Sequence, residues 1–98
     1  MKLEFEWDEK KNARNIIKHG ISFKEAVMVF SDSMRIEEFD YYHNWIEERW
    51  IITGLVGCNV IVVVCTYRGG KIRIISARQT TKKEEEAYFY GYGAIYFN

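Results

Sequence analysis

The stretch VIVVVCTYRGGKIRIISARQTTKKE, residues 60–84, decides how this chain folds. Val60 to Tyr67 is apolar on both of its alternating faces, which is the pattern of a strand at the centre of a sheet. Arg68-Gly69-Gly70 turns the chain back, and Lys71 to Arg78 reads as the next, antiparallel strand. Thr81-Lys-Lys-Glu84 has the spacing of a capping box, so a helix opens there and runs to about Tyr90.

Towards the amino terminus, Gly57-Cys58-Asn59 makes an earlier turn out of a strand spanning Glu48 to Val56. In that strand Trp50 and Ile52 share one face and Arg49, Ile51 and Thr53 the other. Met34 to Phe39 is a weaker strand, because Glu37-Glu38 breaks its alternation and suits an exposed edge. Further back, Asp8 caps a helix with Ala13, Ile16 and Ile17 at helical spacing, which runs to about Lys18 and stops at Gly20. Ser22-Phe-Lys-Glu25 is another capping box with Ile21 at the staple position. Phe23, Ala26, Val27 and Phe30 form the stripe of a short second helix closed by Ser31-Asp32-Ser33. Trp7, Phe23, Phe30 and Trp50 read as core. The order predicts an α+β fold: two N-terminal helices, an antiparallel sheet of three or four strands, and a C-terminal helix. At 98 residues the chain is long enough for one domain, spanning residues 1–98, and one core. The tail YFYGYGAIYFN, residues 88–98, fits an extra strand, a packed arm or a surface that a partner covers.

An apolar fraction of 48% without proline suits a packed core rather than a disordered chain. The start MKLEFEWDEKK is charged where a secretory signal needs an apolar run, and VIVVVC is too short to cross a bilayer. A soluble, cytoplasmic protein with no membrane segment is the expectation. Cys58 and Cys65 stand seven apart, and His19 and His43 are the only other soft ligands, which suits neither a zinc site nor a structural disulfide. Reduced cysteines and no metal or cofactor are expected.

The formal net charge is zero, yet the charge is unevenly distributed. Residues 1–50 hold eight Lys/Arg against eleven Asp/Glu, and residues 51–98 hold six against three. From Ile51 to Lys83 every charged side chain is basic: Arg68, Lys71, Arg73, Arg78, Lys82 and Lys83. Such a segment fits either an anion site or a solvated charged face. Arg73 stands among isoleucines, where a guanidinium is costly unless paired. Arg73 and Arg78 are the leading candidates to clamp a phosphate, because the arginine fork binds two oxygens at once and keeps its proton. Strict alternation sets them on opposite faces, so they share a site only if a bulge or the strand's end re-aims Arg78. Pairing with Glu47, Glu48 or Glu38 is the structural alternative for each.

Four segments together resemble a known family: FEWDEKKNARNIIKHGISFKEA (residues 5–26), VFSD (29–32), EERW (47–50) and RIISARQTTKKEEEAY (73–88). The spacing WDxxKxxxNxxKHG, carried by Trp7, Asp8, Lys11, Asn15, Lys18, His19 and Gly20, followed by an RIISAR strand, resembles the BrnT family of type II toxins. The resemblance implies a fold like that of the RelE ribonucleases, metal-independent cleavage of RNA, and neutralisation by a BrnA-type antitoxin in a toxin–antitoxin hetero-oligomer. The acidic run Glu84 to Glu86 and the aromatic tail are not features of the resemblance.

Cutting RNA without a metal requires activating a ribose 2′-hydroxyl, stabilising charge on the phosphorus oxygens and protonating the leaving 5′-oxygen. Besides Arg73 and Arg78, Arg49 beside Glu48 offers a third cation and a carboxylate base, or a cross-strand salt bridge. His19, with Lys18 at the end of the first helix, is a candidate proton donor or RNA contact; a favourable dipole contact explains its position equally. Tyr88 can donate a proton or stack on a base, or simply pack. Lys18, Arg68, Lys71, Lys82 and Lys83 are candidate RNA contacts. The competing reading is a non-catalytic module whose basic strands receive an acidic partner segment.

Overall fold

The computed structural model describes residues 2–42 and 47–96, with side chains as far as Tyr90. In chain order the elements are β1 (Phe5–Glu6), α1 (Glu9–His19), α2 (Phe23–Ala26), a 3-10 turn (Val27–Ser31), β2 (Ile36–Phe39), β3 (Trp50–Val56), β4 (Asn59–Arg68), β5 (Lys71–Gln79) and α3 (Lys82–Tyr96). The α+β reading holds, but the sheet has five strands, in the order β1-β5-β4-β3-β2, rather than three or four. β2 to β5 form the expected antiparallel meander. The additional strand, β1, pairs parallel to β5, with Phe5 opposite Ile72 and Glu6 opposite Arg73. Two residues are too few to display an alternation, which is why β1 is invisible as a pattern.

The helix starts follow their capping residues. The Asp8 carboxylate accepts from the Lys10 and Lys11 amides at 2.8 and 3.0 Å, and these bonds, the Lys11 one foremost, hold its pKa below the usual value. Gly20 ends α1 with φ 72°, a left-handed geometry that favours glycine. Ser22 and Glu25 cap each other at the start of α2, and Thr81 and Glu84 do so at α3. The second helix is shorter than its stripe suggests, passing into the 3-10 turn at Val27. α3 continues to Tyr96, so most of the aromatic tail is helical, while Phe97 and Asn98 lie outside the described residues, as does His43.

The core lies between these N-terminal elements and one face of the sheet. Ile21, Phe23, Ala26 and Val29 meet Ile52, Ile61, Val63, Cys65, Ile72, Ile74 and Ala77, and Trp7, Phe30 and Trp50 pack against this cluster. Full burial of side chains such as Phe23 and Ile52 contributes about 1.5–3 kcal/mol each. Gly54 of β3 is where Val29 crosses, and a Cβ there would stand 2.6 Å from the Val29 Cγ2.

Helix α1 departs from its pattern. Ala13, Ile16 and Ile17, whose spacing marks the helix, face solvent, and Ile17 is 86% exposed. The inward positions are Asn12, Asn15 and His19. Asn15 donates to the Ile21 and Ala77 carbonyls at 2.9 and 2.8 Å and accepts from the Ala77 amide at 3.2 Å. Asn12 accepts from the Phe23 amide at 2.8 Å. β1 stops short of Ala77, so Asn15 satisfies the backbone of β5 where a neighbouring strand is missing. Polar side chains dock this helix, and its apolar ones are left outside.

Candidate functional site

Residues directly opposite in an antiparallel ladder share a face. On the face of the sheet away from α1 and α2, the far face, Arg73 lies opposite Thr66 and Arg78 opposite Val62. Both arginines reach that face because β5 is irregular. Ser76 pairs with Val64 and Ile74 with Cys65, so Ile75 is an extra residue with no partner on β4. The bulge returns Ala77 to the core and turns Arg78 to the same side as Arg73.

Two more arginines join them. Trp50 lies opposite Cys65, so Arg49, one residue earlier, falls beside Thr66, and Arg68 follows Thr66 on the same face two residues along β4. Carboxylates of the chain interleave with these cations. Glu6 binds Arg73 at 3.1 Å. Glu47 bridges Arg49 and Arg68, at 3.2 and 2.9 Å. Glu84 takes both terminal nitrogens of Arg78, at 2.8 and 2.9 Å. Among the described residues these ion pairs join four guanidinium groups to three carboxylates, and Asp40, whose amide donates to the Arg49 carbonyl at 2.9 Å, adds a buried carboxyl group opposite Arg49. The Arg49 Nε is buried and has no hydrogen-bond partner among the described residues. An unpaired buried donor on a cation is a place where an anion is stabilised.

The Arg78–Glu84 contact is the shortest of these ion pairs and engages both terminal nitrogens of the guanidinium. The hydrogen bonds from Arg78 push Glu84 down to about 2, and the Glu84 bonds raise Arg78 further above its ordinary value. The same contact fixes the first turn of α3 over the far face. One turn later, the Tyr88 hydroxyl donates to the Asp32 carboxylate. Burial, and then that bond, push the Tyr88 phenol up to about 12. Burial opposes ionisation of Asp32 as well, but bonds from the Leu55 amide, the Tyr88 hydroxyl and the Met34 amide outweigh it and lower its pKa. Tyr88 is thereby held as a neutral donor anchoring α3 rather than as a ready proton source.

The other sequence candidates scatter. Glu48 is exposed and approaches the group through its backbone, whose carbonyl accepts from the Thr66 hydroxyl at 2.6 Å; Glu47, not Glu48, is the carboxylate set between arginines. Lys71 lies opposite Arg68 at the exposed β4–β5 turn. Lys82 and Lys83 are exposed on the first turn of α3. Lys18 and His19 end α1 and form no hydrogen bond or ion pair with the arginines among the described residues. Two open depressions are present, the first beside the Arg49 end of the group, since the Asp40 amide donates to the Arg49 carbonyl, and the second on α3. One, of about 470 Å³, is lined by Glu38, Asp40, Tyr41 and neighbours, and the other, of about 380 Å³, by Lys82, Phe89 and neighbours on α3.

Sequence reasoning missed Glu6 and Glu84 as the partners of Arg73 and Arg78. The signal for Glu84 was present, since its capping-box role sets it one turn beyond the end of β5. Glu6 required the unseen pairing of β1.

No helix among the described residues is long and apolar enough to cross a membrane. Residues 7–84 match a family model described as the ribonuclease toxin BrnT of type II toxin–antitoxin systems. Comparison with curated proteins finds no match.

Proposed function

Because the chain belongs to the BrnT family of ribonuclease toxins of type II toxin–antitoxin systems, we propose that the arginine group on its far sheet face cleaves RNA without a metal. The observation that carries this reading is the bulge at Ile75, which gathers Arg73 and Arg78 on one face with Arg49 and Arg68. A phosphodiester entering there exchanges with Glu6 and Glu84 for Arg73 and Arg78, whose forks then hold its non-bridging oxygens. The ribose 2′-oxygen attacks phosphorus as its proton passes to a carboxylate, for which Glu47, held between Arg49 and Arg68, is the candidate. The bond to the 5′-oxygen breaks as that oxygen takes a proton from solvent. The extra charge on phosphorus is met by guanidinium groups, so this mechanism predicts activity in EDTA.

An antitoxin of the BrnA type, bound to the toxin in a hetero-oligomer, silences the enzyme by covering these cations. The resulting fold analogy to the RelE ribonucleases, the RNA substrate and a cytoplasmic site of action belong to the same proposal.

One observation favours the non-catalytic alternative. Each sheet arginine already has a carboxylate of its own chain within 3.2 Å, as a structural network would. Incubating the antitoxin-free protein with single-stranded RNA in EDTA separates the two. Fragments ending in 2′,3′-cyclic or 3′-phosphate support the enzyme, and intact RNA alongside retained antitoxin binding supports the binding module.

A further inference from the structure

The outward side of α1 carries apolar side chains that the packing of the fold does not use. Ile17 is 86% exposed and Ile16 43% exposed, with Ala13 one turn back. A single exposed isoleucine is ordinary, but here a whole helical stripe has been displaced outwards by Asn12 and Asn15. Lys10, Arg14, Lys18 and Lys11, all exposed, run along one side of Ile17, and Ala13 and Ile16 lie on the other. Among the described residues none of them has an ion-pair partner, whereas the arginines of the sheet are all paired. Glu9, the one acid of α1, is engaged by the Trp7 indole at 2.7 Å and by Asn12. The exposed side of the helix is therefore apolar from Ile17 across to Ile16 and cationic along the opposite flank of Ile17.

We infer that this face of α1 docks an acidic amphipathic segment of the antitoxin, with apolar side chains against Ile16 and Ile17 and carboxylates against Lys10, Arg14 and Lys18. The inference rests on the reading of the chain as a toxin with an antitoxin partner, but not on the catalytic role of the arginines. Charge complementarity selects an acidic partner, and the isoleucines select a protein one. A sugar–phosphate chain would use the cations and gain nothing from Ile17 at the centre of the patch. Roughly 16 Å of helix, from a 1.5 Å rise per residue, accommodates about three turns of a partner helix.

The test titrates the antitoxin from the adjacent reading frame against wild-type protein, Ile17→Asp, Ile17→Leu and Lys10→Glu. Ile17→Asp is expected to weaken binding about tenfold or more, as loss of an interface anchor does. Ile17→Leu should stay within about twofold, and Lys10→Glu should weaken binding and flatten its salt dependence. Cleavage of RNA by antitoxin-free Ile17→Asp should equal wild type. Circular dichroism checks its fold, which an exposed position leaves intact.

Unchanged antitoxin affinity in Ile17→Asp overturns the inference, and so does the absence of any binding by wild type. Weakened RNA affinity with antitoxin binding untouched in Ile17→Asp or Lys10→Glu assigns the face to RNA instead and overturns it equally. Ile17-dependent antitoxin binding by a protein that leaves RNA intact would sink the catalytic proposal while upholding this one.

Discussion

Replacing Asn15 by alanine removes a side chain that is 7% exposed and carries three hydrogen bonds to buried backbone groups. The Ile21 and Ala77 carbonyls and the Ala77 amide lose their partner together, and among the described residues no strand flanks β5 there to replace it. Each backbone group left buried and unsatisfied costs about 1–3 kcal/mol. Water entering the vacated space recovers part of this, so the low end applies and Asn15→Ala should cost about 3 kcal/mol. Against a total stability of about 5–15 kcal/mol for such a domain, that is a large share. It corresponds to a fall in melting temperature of roughly 12–24 °C at about 4–8 °C per kcal/mol. Urea unfolding followed by circular dichroism measures it directly, with the loss read from the midpoint at constant slope. A loss below about 1 kcal/mol would refute the idea that asparagine side chains, rather than the isoleucines of α1, hold the helix to the sheet.

Gly54→Ala should destabilise by about 1–3 kcal/mol, the cost of overpacking, because its Cβ would meet Val29 at 2.6 Å and Arg35 and Asp32 at 3.2 Å; thermal melts check this. Acid titration of stability tests the Arg78–Glu84 pair. Glu84 is depressed from 4.5 to about 2, so its contribution is present above pH 4.5 and lost as pH falls towards 2. Both side chains are more than a third exposed, so the effect is screened and modest. Arg78→Ala should flatten that part of the profile, and an unchanged slope would count against the pair. Thiol labelling of the native protein should modify Cys58 alone, because Cys58 is exposed while burial pushes Cys65 up to about 12. Both should react in denaturant.

Most of the fold was legible because its local signals agree. The meander from Met34 to Arg78 and all three helix starts follow from alternation, glycine turns and capping boxes, and the structure keeps them within a few residues. What escaped depended on contacts distant in sequence. By counting, Arg73 and Arg78 share a face only if a bulge or the strand's end re-aims Arg78, and the pairing of β5 against β4 reveals that Ile75 is the extra residue. β1 exists because β5 offers it an edge, not because two residues prefer to be extended. The spacing of Ala13, Ile16 and Ile17 located α1 correctly, but periodicity identifies an amphipathic helix without saying which side is buried. Asn15 gave no warning of the inversion, since its bonds to Ala77 span 62 residues and no local pattern contains them.

The central claim is that arginines brought to one face by the bulge act on a phosphodiester. It is tested most directly by single-turnover RNA cleavage with purified, antitoxin-free wild type, Arg73→Ala and Arg73→Lys, each checked for folding. The account predicts that Arg73→Ala lowers the rate by about 100-fold or more, the usual scale for removing one transition-state charge donor. Arg73→Lys should recover only part of it, because an ammonium lacks the fork. Folded Arg73→Ala protein that cuts RNA at the wild-type rate would contradict it.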